Sequence, residues 1–176
     1  LSIELLTRAG IPIADGNIIV ENGKEKKTYT SNSDGKLEIF LPWGSSVNIY
    51  ASLNYEKSSH VINSSDAIDA LNVAVDVFFP SEDKDSFRLI SADFNRDGRV
   101  SSQDAFSIQK HVLGLNTGDL PEWIFVNTHN DYSNIERKNV VYNSDIRIGE
   151  LTADTSISLT GILIGDVNDT YGHLIA

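Results

Sequence analysis

One segment concentrates oxygen-bearing side chains at a spacing that suits a cation. Counted from Asp93, the residues Asp93, Asn95, Asp97, Ser101 and Asp104 fall at places 1, 3, 5, 9 and 12, with Gly98 at place 6. In a tight coil this pattern turns alternate side chains inward on one ion. Calcium, a hard cation, takes about six to eight oxygens at roughly 2.3–2.6 Å, and the spacing is that of an EF-hand-type calcium loop. The predicted ligands are the side chains of Asp93, Asn95, Asp97 and Asp104, the carbonyl of Arg99, and Ser101 directly or through water. Gly98 permits a bend that a Cβ would obstruct. Val100, at place 8, is predicted to point inward and pair with a matching residue of a second loop. Magnesium is disfavoured because it demands near-octahedral, well-hydrated sites. The bland alternative is an Asx-rich turn that caps a helix.

Place 12 is Asp rather than the usual Glu, and no amphipathic helix is read before the loop. With these two features, Asp93-Phe94-Asn95-Arg96-Asp97-Gly98 through Lys110-His111-Val112-Leu113 resembles a dockerin loop–helix repeat. Dockerins are non-catalytic calcium-dependent modules of secreted bacterial proteins, and many bind cohesin domains in cellulosome-type assemblies. The resemblance implies two repeats. A shift of 38 residues aligns Ile62-Asn63-Ser64-Ser65-Asp66-Ala67 with Val100-Ser101-Ser102-Gln103-Asp104-Ala105. The first half of the earlier loop is missing, since Tyr55, Lys57 and Ser59 stand where Asp93, Asn95 and Asp97 stand in the later one. Gly165-Asp166-Val167-Asn168-Asp169-Thr170 reads like the opening of such a repeat. A split site follows, as in a circularly permuted dockerin: Asp166, Asn168 and Thr170 at places 1, 3 and 5, Asn63 and Asp66 at places 9 and 12. Ile62 would then pair with Val100. Pro121-Glu122-Trp123-Ile124-Phe125-Val126 ahead of the terminal Gly-Asp-Val-Asn resembles a dockerin-like C-terminal module of large secreted bacterial proteins.

The resemblance also places partner contacts at loop positions 10 and 11 and on basic helix residues, hence Ser64, Ser65, Ser102, Gln103 and Lys110. A cohesin-type domain is the implied partner, and the module itself is expected to be a monomer. The segment from 116 to 165 is long for a dockerin, which leaves a second reading open: a calcium-stabilised structural terminal module of an adhesin or exported enzyme without a cohesin partner.

Elements must position these residues. Asp66–Val75 sets Ile68, Leu71 and Val75 at i, i+3 and i+7 on one helical face, capped by Ser64 or Ser65. Asp104–Leu113 repeats the design with Ile108, Val112 and Leu115 in a stripe and Gly114 as its stop. Before them, Asn17–Val20, Lys27–Thr30, Lys36–Leu41 and Val47–Ala51 are strand-like, separated by glycine turns that suggest antiparallel hairpins. After Pro121, Trp123–Val126, Asn139–Tyr142, Ile146–Ile148 and Ser156–Ile164 are strand-like, and Thr128–Lys138 reads as a loop. The fold class is α+β. Residues 1–57 form a β domain that resembles small immunoglobulin-like or X-module-like sandwiches, and 58–176 a dockerin-like domain with inserted strands at about 120–165. A later segment is also able to complete the thin first sheet.

Fourteen basic against 25 acidic residues give a formal charge of −11, which argues against nucleic acid and anionic membranes as partners. The absence of cysteine excludes disulfide frameworks, thiolate metal sites and cysteine nucleophiles. No apolar run approaches the roughly 20 residues that span a bilayer. Leu1 at the start, without a basic-apolar leader, suggests a piece of a longer chain, and the acidic composition suits an extracellular bacterial module. His60, His111, His129 and His173 are scattered without zinc spacing, and His111 is expected to be a packing or surface residue. No nucleophile elbow, phosphate loop or dinucleotide fingerprint is present, so no catalytic residue is assigned. Asn63 and Asn168 lie in glycosylation sequons but are assigned as ligands. Trp43 and Trp123 are expected as core or interface anchors, with a carbohydrate surface the less favoured use.

Overall fold

The computed structural model describes residues 1–56, 60–76, 85–115 and 118–171. The chain is a mixture of helices and strands, arranged in two compact units. The first unit takes Leu1–Asn54, Ile124–Asn130 and Asn143–Gly161; the second takes Tyr55–Trp123, Asp131–Tyr142 and the residues from Ile162 onward.

The first unit is built on alternation. β1 (Ser2–Thr7), β2 (Asn17–Asn22) and β5 (Val47–Ser52) each bury every second residue over most of their length, so each strand gives one apolar face to a core. That core includes Ile3, Leu5, Ile18, Val20, Val47 and Ile49. β2 pairs antiparallel with β3 (Glu25–Thr30) and with β5, and β5 pairs antiparallel with β7 (Ile146–Ile148). This sheet runs β3-β2-β5-β7. In the second sheet β1 lies between β4 (Lys36–Glu38), antiparallel, and β8 (Ser156–Leu163), parallel; β6 (Trp123–Asn127) completes the order β4-β1-β8-β6.

The pairings redraw the expected boundary. Strands β6, β7 and β8, read above as insertions in a domain running from 58 to 176, join the sheets that hold β1 and β5. The first unit is therefore not confined to residues 1–57. A strand is local in sequence while its partners are not, so the pattern of 120–165 shows strands without showing which sheet they complete. β4 is also shorter than Lys36–Leu41 suggests: it stops at Glu38, and Phe40 is exposed. Asn139–Tyr142 is not a strand; Asn139 makes a single bridge with Glu136.

In the second unit, α1 (Ser64–Ala74) and α3 (Ser102–Val112) pack on one another, and α2 (Ser86–Ala92) precedes the loop that leads to α3. α2 corrects the expectation that no helix stands before the loop. Seven residues are too few for a readable apolar period, and the helix depends on Asp85, whose carboxylate accepts from the amides of Phe87 and Arg88 at 3.0 and 3.1 Å. The cap of α1 is Asn63 rather than either serine. The face of Ile68, Leu71 and Val75 is turned to solvent, while Asp66, Ala67, Ala70 and Val73 are buried. Small alanines on the inward face let helices approach closely, so the larger apolar residues of this helix lie outside the contact. On α3, Ile108 is buried and Leu115, beyond the helix, is exposed.

Candidate metal centre

α1 and α3 begin alike. Ser101 and Asn63 are N-caps in extended conformation, and each helix carries a capping box closed by the carboxylate three residues on. Asp104 Oδ2 accepts from Ser101 N at 2.9 Å, and Asp66 Oδ2 from Asn63 N at 2.9 Å. Each cap side chain accepts in turn from the amide two residues later, Gln103 at 3.2 Å and Ser65 at 2.8 Å.

The opening halves match as well. Asp93 accepts from the amides of Asp97 and Gly98 at 3.1 and 3.0 Å; Asp166 accepts from those of Thr170 and Tyr171 at 2.8 and 3.0 Å. Asn95 Oδ1 takes Asp97 N at 2.9 Å, and Asn168 Oδ1 takes Thr170 N at 3.1 Å as well as the Thr170 hydroxyl. Place 4 is left-handed in both, with φ of 58° at Arg96 and 59° at Asp169. Place 2 is buried and apolar in both, Phe94 and Val167, as is place 8, Val100 and Ile62.

Place 12 closes each loop onto its opening half. Asp104 Oδ1 accepts from Asn95 N at 3.1 Å, nine residues away, and Ser101 Oγ also donates to Asp104 Oδ2 at 3.0 Å. Asp66 Oδ1 accepts from Val167 N at 2.8 Å and Asn168 N at 3.2 Å, across 101 and 102 residues. The structure thus brings Asp66, Asp166, Asn168 and Thr170 together, with Asn63 joined through Asp66, in the arrangement of Asp93, Asn95, Asp97, Ser101 and Asp104. Gly165 seats the returning chain: its amide donates to Ser91 O at 2.8 Å, its φ is 100°, and a Cβ there would lie 3.0 Å from Ile62 Cδ1 and from Phe94 Cε2.

The electrostatics also match. Asp93 and Asp166 are 3% and 2% exposed. Burial pushes both carboxyls up to about 6, helped by neighbouring carboxylates and opposed by the loop amides. Burial raises Asp66 too. Tyr55 is raised by burial and then by the charges of Asp166 and Asp66, and Tyr142 by burial and then by Asp93, so a phenol attends each loop. Sequence spacing does not mark Tyr142, which lies outside both loops, and it marks Tyr55 only as the residue that stands at place 1 of the incomplete earlier loop. Val61 is a further residue missed: the 38-residue shift sets it opposite Arg99, and its carbonyl accepts from Asn63 Nδ2 at 3.2 Å.

The two loops differ at place 9, where Asn63 stands for Ser101, and at places 5 and 6. Thr170 replaces Asp97, and Tyr171 stands where Gly98 has a φ of 87°. Tyr171 packs edge-on against Trp123, ring centroids 4.7 Å apart. Asp97 is exposed and accepts from Arg99 N at 3.1 Å. Among the described residues, no three or more His, Asp or Glu side chains are gathered as a metal would hold them; the carboxylates instead accept loop amides. The Val100 amide does not pair with Ile62: it donates to Arg137 O at 2.8 Å, and Val140 N donates to Gly98 O at 2.8 Å, so residues 131–142 flank the continuous loop.

Ser64, Ser65, Ser102 and Gln103 are exposed at the helix starts. Gln109 Nε2 donates to Ser64 Oγ at 3.4 Å, which sets the start of α1 beside the last turn of α3, where Lys110 Nζ lies 5.3 Å from the Phe106 ring centroid. His111 is buried, with ring centroids of Tyr55 and Phe94 each 6.0 Å away. His60 and His129 are exposed; Lys57, Ser59 and His173 lie outside the described residues. Trp123 is buried, whereas Trp43 is exposed. No helix among the described residues is long and apolar enough to cross a membrane. No protein-family model matches the chain, and no curated protein or solved structure is found similar to it.

Proposed function

We propose that this chain is a non-catalytic, calcium-dependent protein-binding module, dockerin-like in its second unit and β-sandwich-like in its first, which docks a secreted bacterial protein to a cohesin-type partner. The observation that carries the reading is the shared pattern of the two loops, in which the carboxylates at places 1 and 12 and the Asn at place 3 accept corresponding loop amides, with one loop assembled from segments a hundred residues apart. Two calcium ions would occupy them, one in the Asp93–Asp104 loop and one between Asp66, Asn63, Asp166, Asn168 and Thr170. The donor set fits: every side-chain candidate offers oxygen, and each loop has a buried carboxylate whose charge burial disfavours and a divalent cation would compensate. Each ion would offset two of the eleven net negative charges. Ser64, Ser65, Ser102, Gln103 and Lys110 would meet the partner.

The test is surface-plasmon binding of a panel of cohesin domains in calcium and in EGTA. Binding that needs calcium and is lost in a Ser102→Ala/Gln103→Ala/Lys110→Ala variant supports docking. No binding by any panel member, with melting still raised by calcium, favours the second reading, a calcium-locked structural module. The hydrogen bonds that tie Asp66 to residues 167 and 168 support that second reading specifically, because they fasten the returning chain to α1.

A further inference from the structure

The first unit carries a groove of about 380 Å³ at one end of the β4-β1-β8-β6 sheet. Registry sets Glu38 on β4, Ser2 on β1 and Ser156 on β8 side by side. Adjacent strands lie about 4.8 Å apart, so the row offers a carboxylate and two hydroxyls at regular intervals. The next row on the same face is Lys36, Glu4 and Ser158, and it is satisfied internally: Lys36 Nζ lies 3.7 Å from Glu4, and Ser158 Oγ donates to Glu4 at 3.2 Å. The side chains of Glu38, Ser2 and Ser156, and of Asp154 beside them, make no hydrogen bond or ion pair with any described residue. Two aromatic residues line the same groove, Phe40 at 98% exposure and Trp43 at 71%. Large rings this exposed surrender the apolar burial that holds such residues inside a fold.

We propose that this groove binds a neutral polysaccharide chain. A sugar ring has apolar C–H faces that stack on aromatic rings and a rim of hydroxyls that both donate and accept, so it matches exposed aromatics beside an open row of carboxylate and hydroxyl groups. A purely apolar ligand would strand Glu38 and Asp154 without partners. An acidic glycan would meet two carboxylates within a chain of net charge −11.

Affinity electrophoresis of the protein in gels containing hydroxyethylcellulose, xylan, galactomannan or polygalacturonate tests the proposal. At least one neutral polymer is expected to retard the wild type and polygalacturonate is not. Trp43→Ala is expected to abolish the retardation and Glu38→Gln to reduce it, both with unchanged melting temperatures because these side chains are exposed. Retardation by none of the neutral polymers, or equal retardation of wild type and Trp43→Ala, overturns it. Running the same gels in EGTA separates this groove from the calcium loops: its binding persists there.

Discussion

Asp66→Ala is the perturbation that bears hardest on the split loop. The side chain is 0% exposed and accepts from three amides, Asn63 at 2.9 Å, Val167 at 2.8 Å and Asn168 at 3.2 Å. A hydrogen bond to a charged acceptor contributes about 1.5–3 kcal/mol, and a buried donor left unpaired costs about 1–3 kcal/mol. The Val167 amide is buried and has no ready substitute; those of Asn63 and Asn168 are partly buried and regain some solvent. Against these losses, removing the carboxylate relieves its own burial and its repulsion of Asp166, both of which oppose its charge or its neighbour's. The balance is a loss of about 3–4 kcal/mol without calcium. For a chain of this size, where about 2–4 °C accompanies each kcal/mol, melting falls by about 6–16 °C. Circular-dichroism melts in EGTA measure it. Calcium widens the gap, because wild type gains about 2.7 kcal/mol from an ion at a hundred times its Kd and the variant has lost a ligand for that ion. A melting temperature in EGTA within about 2 °C of wild type would refute the reasoning.

Two glycines separate backbone strain from packing. Gly98→Ala, at a φ of 87° with open space around the added methyl, should cost about 1–2 kcal/mol in a urea titration, from conformation alone. Gly165→Ala meets Ile62 and Phe94 as well as an unfavourable φ of 100°, and should cost more in the same titration; equal losses would contradict the tight seat described for the returning chain. Acid dependence has a definite sign. Asp93 and Asp166 have folded pKa values raised to about 6, so without metal the folded state holds more protons, and stability is fullest below the ordinary carboxyl value and falls as pH rises through 6. With calcium, which favours the ionised forms, it should rise over the same window. Urea titrations in EGTA and in calcium check this, and an Asp93→Asn/Asp166→Asn variant should lose much of the EGTA slope.

The continuous loop was legible because its five candidate side chains lie within twelve residues, and a repeating turn makes local spacing into geometry. The split loop was legible only through self-similarity: the 38-residue shift identified Asn63 and Asp66, and the Gly165–Thr170 opening supplied the rest. Nothing local could reveal that Asp66 takes the amides of Val167 and Asn168. The same limit explains the misplaced strands. Ile146–Ile148 and Ser156–Ile164 read as strands from their own residues, but pairing with β5 and β1 depends on residues about 100 and about 150 positions away, respectively. The apolar period of α1 misleads for a different reason, since Ala67 and Ala70 weigh little in any hydrophobic pattern yet occupy the buried face. α2 was missed because one capping aspartate and seven residues carry too little periodicity.

The proposed function requires two calcium ions, one in the continuous loop and one in the loop closed by distant segments. Native mass spectrometry in calcium counts bound ions directly. Two are expected on wild type, one on Asp166→Ala, one on Asp97→Ala, and none on the double variant. Two ions retained by Asp166→Ala would contradict the split site, and none on wild type would contradict both.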